Sequence, residues 1–271
     1  MNGELPAELA PPGVGPTGPA APTRTGPLGL RTGLAGLLQG LLVGAAMLAL
    51  LLPLVRTLQG SMPRAAAAAA PLQRQLDLGT VPASPDVRNL AQAIVHQGDN
   101  GTRPFVLIDK KDARLFVFEA SGRLLGASPI LLGYAAGDDS VSGIGQRPVA
   151  QVQPQERTTP AGRFVAQPGR NALQEQVVWV DYDNAVSMHR VRLTDPAERR
   201  LERLASPRAA DRRISYGCIN LPAAVFDGLV WPTLGARGGI VYVLPEFKRL
   251  EQVFPTLLPD AERANRLEPT A

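Results

Sequence analysis

The stretch Ile214-Ser215-Tyr216-Gly217-Cys218-Ile219-Asn220 holds the only cysteine of the chain. A thiol is a useful nucleophile where its thiolate is favoured and where backbone N–H groups can hold the oxyanion that forms on an attacked carbonyl. Gly217, with no Cβ, lets the main chain turn sharply beside the sulfur, so amides around Tyr216, Gly217 and Cys218 can point at one spot as an oxyanion hole. The chain has two histidines. One of them, His189, lies in Ala185-Val186-Ser187-Met188-His189-Arg190-Val191, where the alternation reads as a strand, and it is the candidate base. On these residues alone two readings stay open: a catalytic Cys–His pair, or a small buried side chain and a structural histidine.

The wider sequence adds a resemblance. Ser215-Tyr216-Gly217-Cys218-Ile219-Asn220 resembles the Ser-His-Gly-Cys-(aliphatic)-(Arg or Asn) signature of the L,D-transpeptidase (YkuD-like) catalytic domain, and His189 stands where that family has its upstream histidine. Thr159-Pro160-Ala161-Gly162-Arg163-Phe164 is similar to the family's Thr-Pro-x-Gly-x-(aromatic) segment. Phe105-Val106-Leu107-Ile108-Asp109-Lys110, followed by Ala113-Arg114-Leu115-Phe116-Val117-Phe118, resembles its opening hairpin. The four segments fall in the family's order and cover roughly residues 100 to 247.

The resemblance implies a mainly β fold, a β-sandwich or barrel with a few short helices, and a cysteine acyltransferase that needs no metal or cofactor. The implied substrates are peptidoglycan stem peptides. Cys218 would attack the carbonyl between the L-centre of a diamino acid and the terminal D-alanine of a tetrapeptide stem, and His189 would pass the thiol proton to the leaving amine. Amides near Tyr216 and Gly217 would hold the oxyanion, an effect worth about 3 kcal/mol per donor. Ser187 and Ser215 are candidates to orient His189 or the loop, and Asn220 to fix the cysteine loop or meet substrate. An amine acceptor gives a cross-link; water gives an L,D-carboxypeptidase-type hydrolysis; a non-catalytic cell-wall-binding protein is the third alternative. Tyr216 departs from the pattern, because the family carries histidine there, so any imidazole contact from that position is missing.

Upstream of these segments the composition changes. Residues 1–31 are rich in Pro, Gly and Ala and read as a disordered tail. Thr32 to Val55 contains no charged residue, and these 24 positions at about 1.5 Å rise each reach across a bilayer's hydrocarbon core, which predicts a membrane anchor. A cleaved signal peptide with Ala65 to Ala70 near the cut fits less well, because the preceding tail is long and the run exceeds an ordinary h-region. Arg24 and Arg31 before the run and Arg56 and Arg64 after it leave orientation undecided by charge. The implied chemistry requires a single-pass inner-membrane protein with its catalytic domain in the periplasm. Residues 56–83 read as an Ala/Pro-rich linker.

Ser84-Pro85-Asp86 signals a helix start and Gly98 a stop, so a helix over 84–100 leads into a domain at 101–248. His96 falls beside that helix's apolar stripe and outside every matched segment, which marks it as structural or solvent-facing. Polar residues 249–271 read as a loosely attached tail. Arg190 to Arg213 carries eight arginines against four acids, as large an excess as the net charge of +4 for the whole chain. Helical spacing of acids and arginines favours a solvated helix; the alternative is a flank of the cleft that attracts carboxylates. No basic-aromatic pattern or reading helix points to nucleic acid.

Overall fold

The computed structural model describes residues 74–259. The tail expected at 1–31, the span expected at 32–55, the linker as far as residue 73 and the chain from residue 260 onward lie outside the described residues. Among the described residues no helix is long and apolar enough to cross a membrane.

Helix α1 (Pro85–Gln97) is built as its sequence predicts. Ser84 Oγ accepts from the Val87 N–H at 3.3 Å, proline occupies the first turn, and Gly98 ends the helix at φ 68°, a left-handed conformation that favours glycine. Val87, Leu90, Ala91, Ile94 and Val95 are buried, whereas His96 is exposed. Strands β1 (Phe105–Asp109), β2 (Arg114–Phe118) and β3 (Leu124–Pro129) form the expected antiparallel meander. Next come β4 (Leu132–Gly133), three short 3-10 turns, β5 (Gly162–Arg170), β6 (Gln176–Asp181) and β7 (Val186–Arg190). Helix α2 (Arg200–Ala205) leads to β8 (Arg213–Ser215) and β9 (Ile219–Leu221), and β10 (Gly239–Val243) follows a helical run over residues 223–234.

The large sheet has the order β3-β2-β1-β10-β5-β6-β7-β9, and β4 pairs separately with β8. It curls on itself. Leu131, just past β3 near one edge, exchanges two 2.9 Å backbone hydrogen bonds with Asn220 in β9 at the other edge. Alternation along the strands then gives two apolar faces. Val106, Ile108, Leu115, Val117, Met188, Ile219, Val241 and Val243 meet inside the curl. Phe105, Leu107, Phe116, Phe118, Ile240 and Tyr242 face outward beneath α1, where Phe105 stacks on Phe118 with ring centroids 4.6 Å apart.

The architecture agrees with the mainly β expectation and its few short helices, but both flanks of the domain are corrected. The expected linker does not stay apart up to residue 83: Leu76, Leu78 and Val81 pack on the outer apolar face, and Gln75 N–H bonds the Ser121 carbonyl at 3.0 Å. Likewise the described part of the expected tail, residues 249–259, is not loosely attached, since helix α3 (Leu250–Val253) brings Leu250, Phe254 and Leu257 onto the same face, all buried. The reason is spacing: these three apolar residues recur at four and three positions, a helical interval that survives in an otherwise polar stretch.

Candidate active site

The site lies where β7 runs parallel to β9. Met188 pairs with Ile219 and His189 with Asn220. Met188 and Ile219 point into the inner core, so the alternate residues Ser187, His189, Cys218 and Asn220 share the opposite side. Ser187 and His189 are one pleat period, about 7 Å, apart along the strand, a gap that side chains span. Sequence alternation thus places four of the candidate residues together, and all four are buried.

Cys218 is 1% exposed; its Sγ donates to the Ala185 carbonyl at 3.4 Å and lies 3.7 Å from Ser187 Oγ. Ala185 itself sits at φ 55°, which is uncommon for a residue with a Cβ and is the kind of backbone strain found at functional sites. His189 Nδ1 lies 2.8 Å from the Arg190 carbonyl, an acceptor only, so this nitrogen carries the proton. Its Nε2 lies 3.3 Å from the side-chain nitrogen of Asn220. Arg200 fixes which way that amide faces: a guanidinium can only donate, and its Nη1 is 2.5 Å from Asn220 Oδ1. Asn220 therefore presents N–H to Nε2. Both bonds select the same imidazole tautomer, the one with its lone pair on Nε2, where it accepts the Asn220 N–H.

The cysteine loop is tied down from several sides. Ser215 Oγ accepts from the Gly217 N–H at 3.1 Å and donates to the Cys218 carbonyl at 2.6 Å, and Asn220 donates to that carbonyl at 3.3 Å. Ser215 thus organises the loop rather than the imidazole. The Gly217 amide, expected as an oxyanion donor, is already taken by Ser215. Thr159 Oγ1 donates to the Gly217 carbonyl at 2.8 Å, and the Thr159 carbonyl accepts from Lys110 Nζ at 3.0 Å. Lys110, which reads in sequence as part of a polar turn, is 1% exposed and bonds Asp138 Oδ1 at 2.8 Å. Burial alone would raise the Asp138 carboxyl, but Lys110 and the backbone N–H groups of Glu246, Lys248 and Phe247 outweigh it and hold the group well below the usual carboxylate range.

Tyr216, in the family's histidine position, lies beneath Arg157, whose guanidinium carbon is 3.8 Å from the ring centroid, a cation–π contact. Gly217 has φ 126°, and a Cβ there would sit 2.8 Å from the Thr158 carbonyl oxygen. Gly217→Ala is therefore expected to cost about 1–3 kcal/mol of stability and to displace the cysteine. Thermal melts together with the rate of Cys218 acylation check this; an unchanged acylation rate would show that the turn does not set the nucleophile.

The arginine-rich segment divides between the two expected readings. Arg199 and Arg208 are exposed and pair with Glu202 and Asp211, as on a solvated surface. Arg200 instead is buried between Glu198 and Asn220, and Arg190 and Arg192 line a cleft of about 470 Å³ that includes His189, Glu175, Gln176 and Leu193. Sequence reading missed Arg200, Arg157 and Thr159 as parts of the site; of these only Thr159 carried a signal, in the Thr-Pro-x-Gly segment. A helix that starts beside a thiol can favour the thiolate through its positive end. The helical run begins only at Ala223, beyond the three residues of β9, and a helix dipole acts within its first turn.

No family model and no curated protein sequence matches the chain. Solved structures give partial likenesses. One is a mutant of the Enterococcus faecium L,D-transpeptidase, 16% identical over 52% of this chain and 50% of that one, with a TM-score of 0.29. Another is the helical cell shape determining protein Pgp2 from Campylobacter jejuni, 15% identical over 60% of this chain and 56% of that one, TM-score 0.35. A third is the L,D-transpeptidase (Yku) from Stackebrandtia nassauensis, 16% identical over 60% of this chain and 68% of that one, TM-score 0.31. The chain spans about half the length of the Enterococcus enzyme.

Proposed function

We propose that this protein is a cysteine-dependent L,D-transpeptidase acting on peptidoglycan stem peptides, held at the inner membrane by residues 32–55 with its catalytic domain in the periplasm. The observation that carries the reading is that the chain's only thiol and His189, an imidazole with its proton on Nδ1, share one side of the β7–β9 pair, with His189 also lining a cleft. In this reading Cys218 gives its proton to His189 and attacks the stem carbonyl. The backbone N–H groups of Tyr216 and Cys218 hold the oxyanion, since Ser215 engages that of Gly217. Asn220 and Arg200 keep the imidazole oriented, and Ser187 lies against the sulfur. An acceptor amine then releases the acyl group as a cross-link.

The test is mass analysis of products after incubating the full-length chain with a tetrapeptide stem and an amine acceptor. Cross-linked product with loss of the terminal D-alanine supports the transpeptidase. A shortened peptide alone points to the carboxypeptidase-type hydrolase, and no product sinks both.

A further inference from the structure

The cleft beside His189 carries two arginines in different states. Arg190 is committed: its Nε donates to Asp227 at 2.8 Å, its Nη2 to Gln176 at 3.1 Å, and its guanidinium lies 4.6 Å from the Phe226 ring centroid. Arg192 is not. Its side chain is 16% exposed, its nearest carboxylate oxygen, on Glu175, stands 4.0 Å from Nε, and its Nη1 is buried with no hydrogen-bond partner among the described residues. Glu175, which also lines the cleft, accepts from the Asn171 side chain at 2.9 Å through the same oxygen and is 46% exposed. A buried N–H without a partner costs about 1–3 kcal/mol, and because Nη1 is closed to solvent a ligand oxygen removes that cost only when the side chain turns out into the cleft.

We infer that this cleft is a carboxylate-binding subsite in which Arg192 pairs with the free terminal carboxylate of the amino acid that leaves during acylation. The inference rests on the proposed reaction and locates its leaving group. When the Cys218 sulfur bonds the carbonyl carbon, the C–N bond breaks and the proton taken from the thiol passes from His189 to the departing nitrogen. That nitrogen must therefore face His189. Its carboxylate is two bonds further on and is unchanged by the reaction, so it falls in the space past the imidazole, which the cleft provides. There Arg192 offers a planar donor pair suited to a carboxylate.

The experiment uses the full-length chain carrying Cys218→Ala, so that peptide binds without reacting. Calorimetric titration compares a stem tetrapeptide ending in a free carboxylate with the same peptide ending in an amide. With Arg192 present, the acid is expected to bind about tenfold or more tighter than the amide. Arg192→Gln is expected to bring the two affinities together, and Arg192→Lys to restore part of the preference; circular dichroism confirms that each variant is folded. Equal affinities with Arg192 present, a preference that survives Arg192→Gln, or no binding of either peptide overturns the subsite. The proposed function is judged separately, by product formation with Cys218 intact: turnover without an Arg192-dependent preference removes the subsite alone, and preference without turnover removes the transpeptidase alone.

Discussion

Cys218→Ala is expected to abolish covalent capture of a carbapenem and all turnover of a tetrapeptide stem, a loss on the order of 10⁴-fold or more. The thiol is the only one in the chain, and Ser187, the hydroxyl 3.7 Å away, is a far weaker acid than a thiol. Intact-mass measurement on the full-length protein reads the result directly. The wild-type chain gains the mass of the probe, and the variant does not. His189→Ala is expected to acylate far more slowly at neutral pH and to recover as the pH rises and free thiolate forms, because what it lacks is the base rather than the nucleophile. An adduct that persists in Cys218→Ala would assign the chemistry to another residue, and a His189→Ala rate equal to wild type would remove the imidazole from the mechanism.

The second large effect is on stability. Lys110→Met is expected to destabilise the domain by about 3–5 kcal/mol, because it leaves the Asp138 carboxylate buried without its ammonium partner. The double replacement Lys110→Met with Asp138→Leu should lose less than the sum of the two single changes, since neither charge is then stranded. Acid dependence follows from the carboxyl. Its value in the folded state lies below that of the unfolded chain, so its contribution is complete above the unfolded value of about 4 and is lost as the pH falls from there toward the lower folded value. Urea melts of wild type and Asp138→Asn at pH 7 and at successively lower pH should therefore converge in acid. Parallel curves would show that the ion pair does not set this part of the stability. The site shares the consequence, since Lys110 also holds the Thr159 carbonyl and Thr159 holds Gly217.

Much of this was legible from residue pattern, and the exceptions have a common cause. Alternation in Ala185 to Val191 put Ser187 and His189 on one side, and the glycine before Cys218 announced the turn that its φ of 126° requires. Apolar spacing gave α1 its buried stripe. Pattern reading fails where a charged residue is buried by a partner remote in sequence. Lys110 looks like a turn lysine until Asp138, 28 residues away, is placed against it. Arg200 looks like one of several solvated helix arginines until Asn220 meets it from a strand that begins after the cysteine loop. Tyr216 reads as a lost histidine, and only the fold supplies Arg157 over its ring.

The seam where Leu131 bonds Asn220 joins residues 89 positions apart, and Asn220 is also the residue that orients the imidazole. The strand that closes the sheet's open edge thus carries a residue that holds the candidate base. Pairings between residues this far apart carry a larger loop-closure cost than the hairpins do. Opening that edge would free Asn220 from Leu131 and loosen its hold on the imidazole while leaving the hairpins and α1 in place. Substitutions that loosen the seam are therefore expected to slow acylation of Cys218 before they lower the β content read by circular dichroism.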